Sequence, residues 1–236
     1  SFCKSLFHGE ILENMILPYP QMPSEDTETV RMVLDTLEKM RSSIDSRTYD
    51  EEGQFPKGFI EGIGEMGLLG LNIPEEYGGM GLSNTGYVRV MEEVATLDGS
   101  LAVTLGAHQS IGFKALSLFG TKEQKARYYP RLATGELIGC FALTEPGSGS
   151  DANSIKTKAT LSADGKHFIL NGQKIWITNG GLASFITVFV KTDEPNGDSH
   201  PGSTKEKITA LIVELPTEGV QIGPPEDKMG IRASST

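Results

Sequence analysis

The segment CFALTEPGSGSDANS, Cys140 to Ser154, separates two regions of the chain that have different hydrophobic periods. An apolar run stops at Thr144, and two glycines, three serines and an aspartate follow within the eight residues 147–154. Before this segment apolar residues recur at helical spacing, and after it they form runs typical of strands. A loop at such a junction is a candidate ligand site, because binding sites are frequent between domains.

The first region, residues 1–135, predicts an all-α domain. Five helices are expected from apolar residues that recur every three to four positions: 24–44, 56–67, 84–97, 100–120 and 121–134. Thr121 and Gln124 have the spacing of a capping box at the start of the last helix, and Gly135 follows its end.

The second region, residues 136–236, predicts an antiparallel β domain of barrel or sandwich type, so the predicted fold class is α+β. Asp164-Gly165 and Asn171-Gly172 are typical of tight hairpins. Strands are expected at KATL, HFIL, KIWIT, FITVFVK and KITALIVEL, and an exposed loop at DEPNGDSHPGSTKEK. The chain ends at KMGIRASST with no closing element, so we expect a truncated protein whose β domain is incomplete.

Composition argues against several classes of function. The formal charge of −10 and the lack of a Lys/Arg run argue against nucleic-acid binding. No apolar segment approaches the roughly 18 residues that a membrane span needs, and the four scattered histidines do not predict a metal site. Cys3 and Cys140 fit a reducing compartment or simple burial. Because the chain begins at Ser1 without a leader pattern, we expect that any targeting segment has been removed.

The segment at residues 140–154, called the glycine loop below, admits two interpretations. Residues 147–152 formally match the dinucleotide pattern G-x-G-x-x-A, but that pattern works only between a strand and a helix. Here NSIKTKATL follows, which predicts an extended strand, and no serine has the spacing of a nucleophile elbow. A Rossmann site and a hydrolase site are therefore rejected. An ordinary turn and a cofactor loop rich in backbone N–H groups both stay open.

The combination of FALTEPGSGSDANS with the later LNGQKIWITNGG closely resembles the acyl-CoA dehydrogenase family of flavoproteins. The resemblance extends over essentially the whole chain, through IPEEYGGMGLS, HQSIGFKALSLFGTKEQKARYYPRLATGE and PPEDKMGIRASST. SLFHGEILENMILPYP and LGAHQSIGFK look most like the very-long-chain members and their relative, family member nine. The resemblance implies N-terminal and middle domains, and a C-terminal helical bundle that this chain lacks.

The resemblance also implies an FAD site and assigns its residues. FAD would contact two groups of residues, the first from the glycine loop and the second from the KIWIT run: Phe141, Leu143, Thr144, Gly149 and Ser150, and Trp176, Ile177 and Thr178. Ser150 would contact either FAD or the CoA part of the substrate. The glycine loop would then hold flavin and CoA through fixed backbone donors, not through a helix dipole.

The acyl-binding region is less specified. Gly106 and Gly112 lie within the predicted helix 100–120, where each glycine costs about 1 kcal/mol relative to alanine. Either tight helix packing or a channel for a long acyl tail would explain them, and Gly106 is the candidate substrate contact. His108 is interpreted as a core histidine, and Glu145 as a structural residue of the glycine loop.

The implied reaction is the FAD-dependent α,β-dehydrogenation of long-chain fatty acyl-CoA in mitochondrial β-oxidation. Its catalytic carboxylate is expected in the missing C-terminal domain, so no residue of this chain is assigned as catalytic and the isolated chain is expected to be inactive.

The resemblance further implies electron-transfer flavoprotein as acceptor, a homodimer at full length, and a location on the matrix side of the inner membrane. Membrane association would depend on missing C-terminal segments. A respiratory complex I assembly factor of the same family and an acyl-CoA oxidase remain alternatives.

Overall fold

The computed structural model describes residues 2–195 and 204–236, with helices before residue 135 and strands after it. The helices are α1 (Phe2–Phe7), α2 (Ser24–Met40), α3 (Ser46–Glu52), α4 (Phe59–Glu65), α5 (Asn84–Leu97), α6 (Gly99–Gly106), α7 (Lys114–Phe119) and α8 (Lys122–Thr134). The strands are β1 (Gly139–Ala142), β2 (Lys158–Leu161), β3 (Phe168–Asn171), β4 (Phe185–Pro195) and β5 (Thr204–Glu214).

Helix prediction from the hydrophobic period succeeds where the apolar stripe is long. Helices α2 and α5 form as expected, and the capping box at Thr121 and Gln124 is present at the start of α8, which ends at the left-handed Gly135. The predicted helix 56–67 forms only over α4, because Gly58 is left-handed with φ 82°. The short helices α1 and α3 were missed, since six or seven residues carry too few apolar positions for a periodic signal.

The predicted single helix over 100–120 is wrong, because a wide π-helical turn, Ala107–Gly112, separates α6 from α7. Inside this turn Gln109 is buried and crosses to the preceding loop. Its Oε1 accepts from the Leu71 N–H at 2.9 Å and its Nε2 donates to the Leu68 carbonyl at 2.9 Å. A side chain that bonds to a neighbouring backbone in this way competes with regular helix geometry, and π turns of this kind are frequent at functional sites.

The helical domain has its own core, and a second apolar cluster joins it to the sheet. Side chains of α2, α4, α5 and α6 form the first core, which includes the fully buried Leu37, Ile63 and Leu101. In the second cluster the ring of Tyr128 on α8 meets that of Phe185 on β4, with centroids 5.1 Å apart. The two regions therefore share a packed boundary, at which the glycine loop begins.

The β region is an open mixed sheet, and the predicted antiparallel barrel or sandwich is wrong. Strand β4 pairs in parallel with β1 and β2 along one side and antiparallel with β5 along the other, while β2 pairs antiparallel with β3. Among residues 2–195 and 204–236 no pairing closes this sheet. Strand β4 is eleven residues long, so its two ends receive different partners, and residue spacing cannot reveal the direction of a distant partner strand.

One hairpin signal is confirmed and the other is wrong. Asp164-Gly165 lies in the β2–β3 hairpin, where the Ser162 N–H donates to the His167 carbonyl at 2.8 Å, although the loop is longer than two residues. Asn171-Gly172 ends β3 without a hairpin. The KIWIT run, residues 174–178, is irregular instead of a strand, because Trp176 has a left-handed φ of 56°. Asn179, which directly follows the run, is also left-handed, with φ 66°. The predicted loop DEPNGDSHPGSTKEK, residues 193–207, is wrong at its two ends, where residues 193–195 continue β4 and residues 204–207 begin β5. Its middle, residues 196–203, lies outside the described residues.

None of the helices in the described part of the chain has both the length and the apolar composition that a membrane crossing requires.

His108 connects the π turn to both α8 and β1. It is fully buried, its Nε2 is 3.1 Å from the Leu132 carbonyl, and its Nδ1 accepts from the Gly139 N–H at 2.8 Å. This pattern requires the neutral Nε2–H tautomer. Burial lowers the pKa of His108 to about 4, so the interpretation as a satisfied core histidine fits the structure.

We therefore predict that His108 makes the fold sensitive to acid. Because the folded-state pKa lies below the usual value of 6.5, the unfolded chain binds the extra proton, and stability falls as the pH drops from about 6.5 towards about 4. The loss should reach about 3 kcal/mol at most. Denaturant unfolding at several pH values should show a flatter pH dependence for His108→Gln than for wild type. The exposed His167→Gln is the control, and equal slopes for His108→Gln and wild type would contradict the assignment.

Candidate functional site

Within the glycine loop the chain leaves the sheet at the end of β1 and closes at once into a tight turn. Glu145 and Ser148 exchange two backbone hydrogen bonds of 3.0 Å each, which places Pro146 and Gly147 at the tip of the turn. The Ser148 hydroxyl then donates to the Asp151 carbonyl at 2.6 Å. These local bonds define the tight turn at residues 145–148 and its continuation to Asp151.

The loop is joined directly to the segment that contains the KIWIT run. The Ile175 N–H donates to the Thr144 carbonyl at 3.0 Å, and the Lys174 ammonium donates to the Leu143 carbonyl at 3.0 Å. The two sequence motifs, about thirty residues apart in the chain, therefore meet side by side.

A buried ion pair locks this junction. Glu145 is 7 % exposed, and its Oε1 lies 2.8 Å from the Lys174 ammonium. The same carboxylate accepts from the Lys156 N–H at 2.6 Å, and from the N–H and hydroxyl of Thr157 at 3.0 and 2.5 Å. Burial alone would raise the pKa of Glu145, but these donors outweigh it and lower the pKa to about 2. Glu145 is thus a permanently charged anchor and a poor proton acceptor, in agreement with its interpretation as a structural residue.

The eight predicted flavin contacts fall into two groups by exposure. Five are half-buried and line the junction: Phe141, Leu143, Thr144, Ile177 and Thr178. Three are exposed: Gly149, Ser150 and Trp176. The indole of Trp176 is 66 % exposed, an unusual placement for a large aromatic side chain and the reverse of a core tryptophan.

The junction carries unpaired backbone and hydroxyl donors. The backbone N–H groups of Thr144, Gly149, Ser150, Ile177 and Thr178 have no acceptor among the described residues, nor does that of Trp176. Within the same residues the hydroxyls of Thr144, Ser150 and Thr178 also make no hydrogen bond. Backbone donors that are neither paired nor deeply buried can bind a polar ligand edge without breaking a bond inside the protein. The donor set therefore fits the polar edge of a flavin ring.

The structure separates the two glycines of the predicted acyl-binding helix. A Cβ at Gly112 would lie 2.8 Å from both the Ala107 carbonyl oxygen and the Gly139 carbonyl carbon, so Gly112 is explained by tight packing. A Cβ at Gly106 would meet only the Met91 Cε, at 4.0 Å. Gly106 is also helical, so neither packing nor backbone conformation within the described residues accounts for a glycine there.

Gly149 is likewise free of internal contacts, since an added Cβ would have no atom within 4 Å. In contrast, a Cβ at Gly172 would lie 2.3 Å from the Thr157 hydroxyl, so Gly172 is required for the loops to approach each other. The open side of Gly149 is where a ligand could come close to the backbone.

No cluster of three or more potential metal ligands occurs in the parts of the chain that the structure describes. A cleft of about 260 Å³ adjoins the loop, lined by residues that include Glu145, Gly147, Thr157 and Gln173. Its lining includes none of the eight predicted flavin contacts, so the cleft is distinct from the donor-rich junction.

Comparison with protein families identifies the family of the chain. The family model described as acyl-CoA dehydrogenase, N-terminal domain, matches residues 24–136, and that described as acyl-CoA dehydrogenase, middle domain, matches residues 140–236. The chain belongs to the acyl-CoA dehydrogenase family. The resemblance predicted from the sequence motifs is thereby confirmed at the level of the family.

Individual members of the family show the same relationship. The chain is 47 % identical over 238 residues to the mitochondrial very long-chain specific acyl-CoA dehydrogenase of Macaca fascicularis, an alignment that covers 100 % of this chain and 36 % of the relative. An acyl-CoA dehydrogenase complexed with FAD from Bacillus anthracis superimposes with a TM-score of 0.76 at 39 % identity, covering 91 % of this chain and 35 % of that one. Butyryl-CoA dehydrogenase from Megasphaera elsdenii gives a TM-score of 0.78 at 35 % identity, with 92 % and 55 % covered.

The chain spans about 36 % of the length of the curated relative from Macaca fascicularis. The similarity shows the acyl-CoA dehydrogenase fold, with a helical N-terminal domain and a mixed sheet.

Two residues of the site were not anticipated from the sequence. Lys174 gave no signal because lysines are usually exposed, and only its buried partner Glu145 shows its role. Asn179 lies within LNGQKIWITNGG, but the sequence assigns it no role. In the structure its backbone N–H donates to the Ser235 carbonyl at 2.6 Å. A contact between positions more than fifty residues apart has no counterpart in local sequence patterns.

We predict that Glu145→Gln destabilises the fold at neutral pH. The neutral amide leaves the Lys174 ammonium without its buried anion, and the free energy of unfolding should fall by about 3 kcal/mol at pH 7. Because the folded-state pKa is depressed to about 2, the stabilisation is complete above the usual value of 4.5 and is lost as the pH falls towards about 2.

Denaturant unfolding at pH 7 and at pH 3 measures this effect. The difference between Glu145→Gln and wild type should shrink at the lower pH. The exposed Glu218→Gln is the control and should change stability by less than about 0.5 kcal/mol. A Glu145→Gln protein as stable as this control at pH 7 would show that the ion pair does not hold the junction.

Proposed function

We propose that this chain forms the flavin-binding part of an FAD-dependent dehydrogenase that oxidises the Cα–Cβ bond of long-chain acyl-CoA thioesters. The observation that carries the proposal is the donor-rich junction between residues 141–150 and 176–178, held by the Glu145–Lys174 pair. In such enzymes FAD supplies the hydride acceptor, and the protein supplies position and electrostatics. The relative from Bacillus anthracis, which is described as complexed with FAD, supports the choice of cofactor.

The residues of the junction bind and orient the ring in this proposal. Thr144, Ile177 and Thr178 offer backbone N–H groups and hydroxyls to its polar edge, and Trp176 packs beside it with an indole that is now 66 % exposed. Phe141 stays in place because its ring lies 4.7 Å from that of Phe189 on β4. Donors fixed before binding stabilise developing charge without reorganisation.

The substrate is assigned to two positions. Ser150, exposed at the open side of Gly149, offers a hydroxyl and an N–H group to the CoA part. Gly106 leaves space beside Met91 for the acyl tail, and this unexplained glycine is our reason for proposing long chains. The relative from Macaca fascicularis, named as very long-chain specific, supports the same class.

The proton at Cα requires a carboxylate base, and Glu145 cannot serve. A base must be able to hold a proton near neutral pH, whereas the pKa of Glu145 is lowered to about 2 and its oxygens are occupied by four donors. We propose that the base lies outside these 236 residues, within the part of the relatives that this chain does not span.

We further propose electron-transfer flavoprotein as the electron acceptor, a homodimeric full-length enzyme, and a place on the matrix side of the mitochondrial inner membrane. The location rests on relatives named as mitochondrial.

The proposal is tested with the complete gene product. We expect it to bind FAD, and a C16 acyl-CoA should bleach the flavin absorbance under anaerobic conditions. Thr178→Val, which is isosteric but lacks the hydroxyl, should weaken FAD binding roughly tenfold, as expected for one lost hydrogen bond to a charged or polar ring edge. Thr160→Val, on the exposed side of β2, is the matched control. A wild-type protein that binds no flavin, or whose flavin is not bleached, would refute the proposal.

The reoxidation step distinguishes a dehydrogenase from an oxidase. We expect the reduced protein to transfer electrons to electron-transfer flavoprotein faster than to dissolved oxygen. Rapid reoxidation by oxygen alone would instead assign the chain to the oxidases.

We predict that Gly106→Leu shortens the preferred acyl chain. A leucine in the space beside Met91 should lower kcat/KM for C16 acyl-CoA relative to C8 acyl-CoA on the order of tenfold or more. The fold should survive, because replacing a helical glycine gains about 1 kcal/mol where space is free. Gly99→Leu on the exposed start of the same helix is the control, and an unchanged C16 to C8 ratio in Gly106→Leu would eliminate the channel.

A further inference from the structure

Asn179 directly follows the predicted flavin contacts Trp176, Ile177 and Thr178, and it is completely buried. Its backbone lies in the left-handed region with φ 66°, which asparagine tolerates better than most residues. Its carbonyl accepts from the N–H groups of Leu182 and Ala183 at 2.9 and 2.8 Å. The residue therefore reverses the chain immediately after the flavin-facing turn.

The side-chain amide of Asn179 reaches two other segments. Its Nδ2 donates to the Thr104 carbonyl at 2.9 Å and to the Gly139 carbonyl at 3.3 Å. The amide orientation is determined by these contacts, because the opposite orientation would place Oδ1 against two carbonyl oxygens. Both contacted carbonyls belong to elements that lead into the proposed site.

Thr104 is on α6, two residues before Gly106. Gly139 begins β1, which leads to Phe141 and the glycine loop. One side chain thus connects three parts of the proposed site. These are helix α6, called the acyl-binding helix because it carries Gly106, the first flavin motif at residues 141–150, and the second flavin motif at residues 176–178. The backbone N–H of Asn179 adds the segment at Ser235, through its 2.6 Å bond.

We propose that Asn179 is a positioning residue that sets the mutual placement of the two flavin motifs and of the acyl-binding helix through its amide group. The proposal deepens the function proposed above and rests on it for its catalytic consequence. Asn179 touches neither the ring nor the acyl tail in this arrangement, and it acts only through Thr178, Gly139 and Thr104.

A purely structural role would have a different signature. If asparagine served only to allow the left-handed backbone, glycine would replace it without loss, because glycine adopts positive φ freely. Asn179→Gly and Asn179→Asp separate the two roles, since both tolerate this backbone conformation. Glycine offers no side-chain donor, and aspartate offers at most a single O–H in place of the amide group that bonds both Thr104 and Gly139. Val33→Ala, in the separate core of the helical domain, is the control for general destabilisation.

The placement of the second motif is measured without any flavin. The complete gene product is labelled with 5-fluorotryptophan, and the ¹⁹F resonance of Trp176 is assigned by its loss in Trp176→Phe. In the apoprotein Asn179→Gly and Asn179→Asp should shift or split this resonance by more than its line width, and Val33→Ala should leave it unchanged. An unchanged resonance in Asn179→Gly would overturn the proposal, whether or not the protein binds flavin.

The catalytic consequence is measured at saturating FAD. Misplacement of the ring relative to the acyl-binding helix should lower kcat for C16 acyl-CoA on the order of tenfold or more with a smaller change in KM, because small displacements cost large factors in rate. Wild-type kcat in Asn179→Gly would overturn the positioning role. A wild-type protein that binds no flavin would instead refute the proposed function, while the ¹⁹F comparison would still decide the role of Asn179.

Discussion

The buried ion pair between Glu145 and Lys174 is the interaction on which the candidate site depends. Isolated, each charge would be costly to remove from water, and together they are stable only because the carboxylate also receives donors from Lys156 and Thr157. The result is a crosslink between two loops that share no regular secondary structure. Loops held in this way can leave their other backbone N–H groups unpaired and available for a ligand.

The donor arrangement differs from the nucleotide sites that the glycine loop superficially suggests. In those sites a helix N-terminus supplies aligned N–H groups to a pyrophosphate. Here the donors at residues 144–150 and 176–178 come from two irregular segments. The left-handed residues Trp176 and Asn179 produce that irregularity in the second segment.

The helical domain contributes position more than chemistry. His108 and Gln109 use the π turn to attach the helices to β1 and to the loop at residues 68–71. Tyr128 and Phe185 then close the boundary between helices and sheet. Gly106, which has no packing role of its own, lies two residues after Thr104, whose carbonyl accepts from the Asn179 amide.

Sequence patterns alone were sufficient for features that arise from neighbouring residues. The long helices α2, α5 and α8, the capping box at Thr121 and the β2–β3 hairpin were all recognisable, because periodicity, caps and turns are local. The family was recognised from its motifs, and the flavin contacts assigned on that resemblance stay a prediction. Tertiary structure decided the rest. The parallel pairing of β1 with β4, the break in the helix at residues 107–112, and the contacts of Lys174 and Asn179 all depend on residues far apart in the chain. Such contacts form only when the whole chain packs, so no window of sequence encodes them.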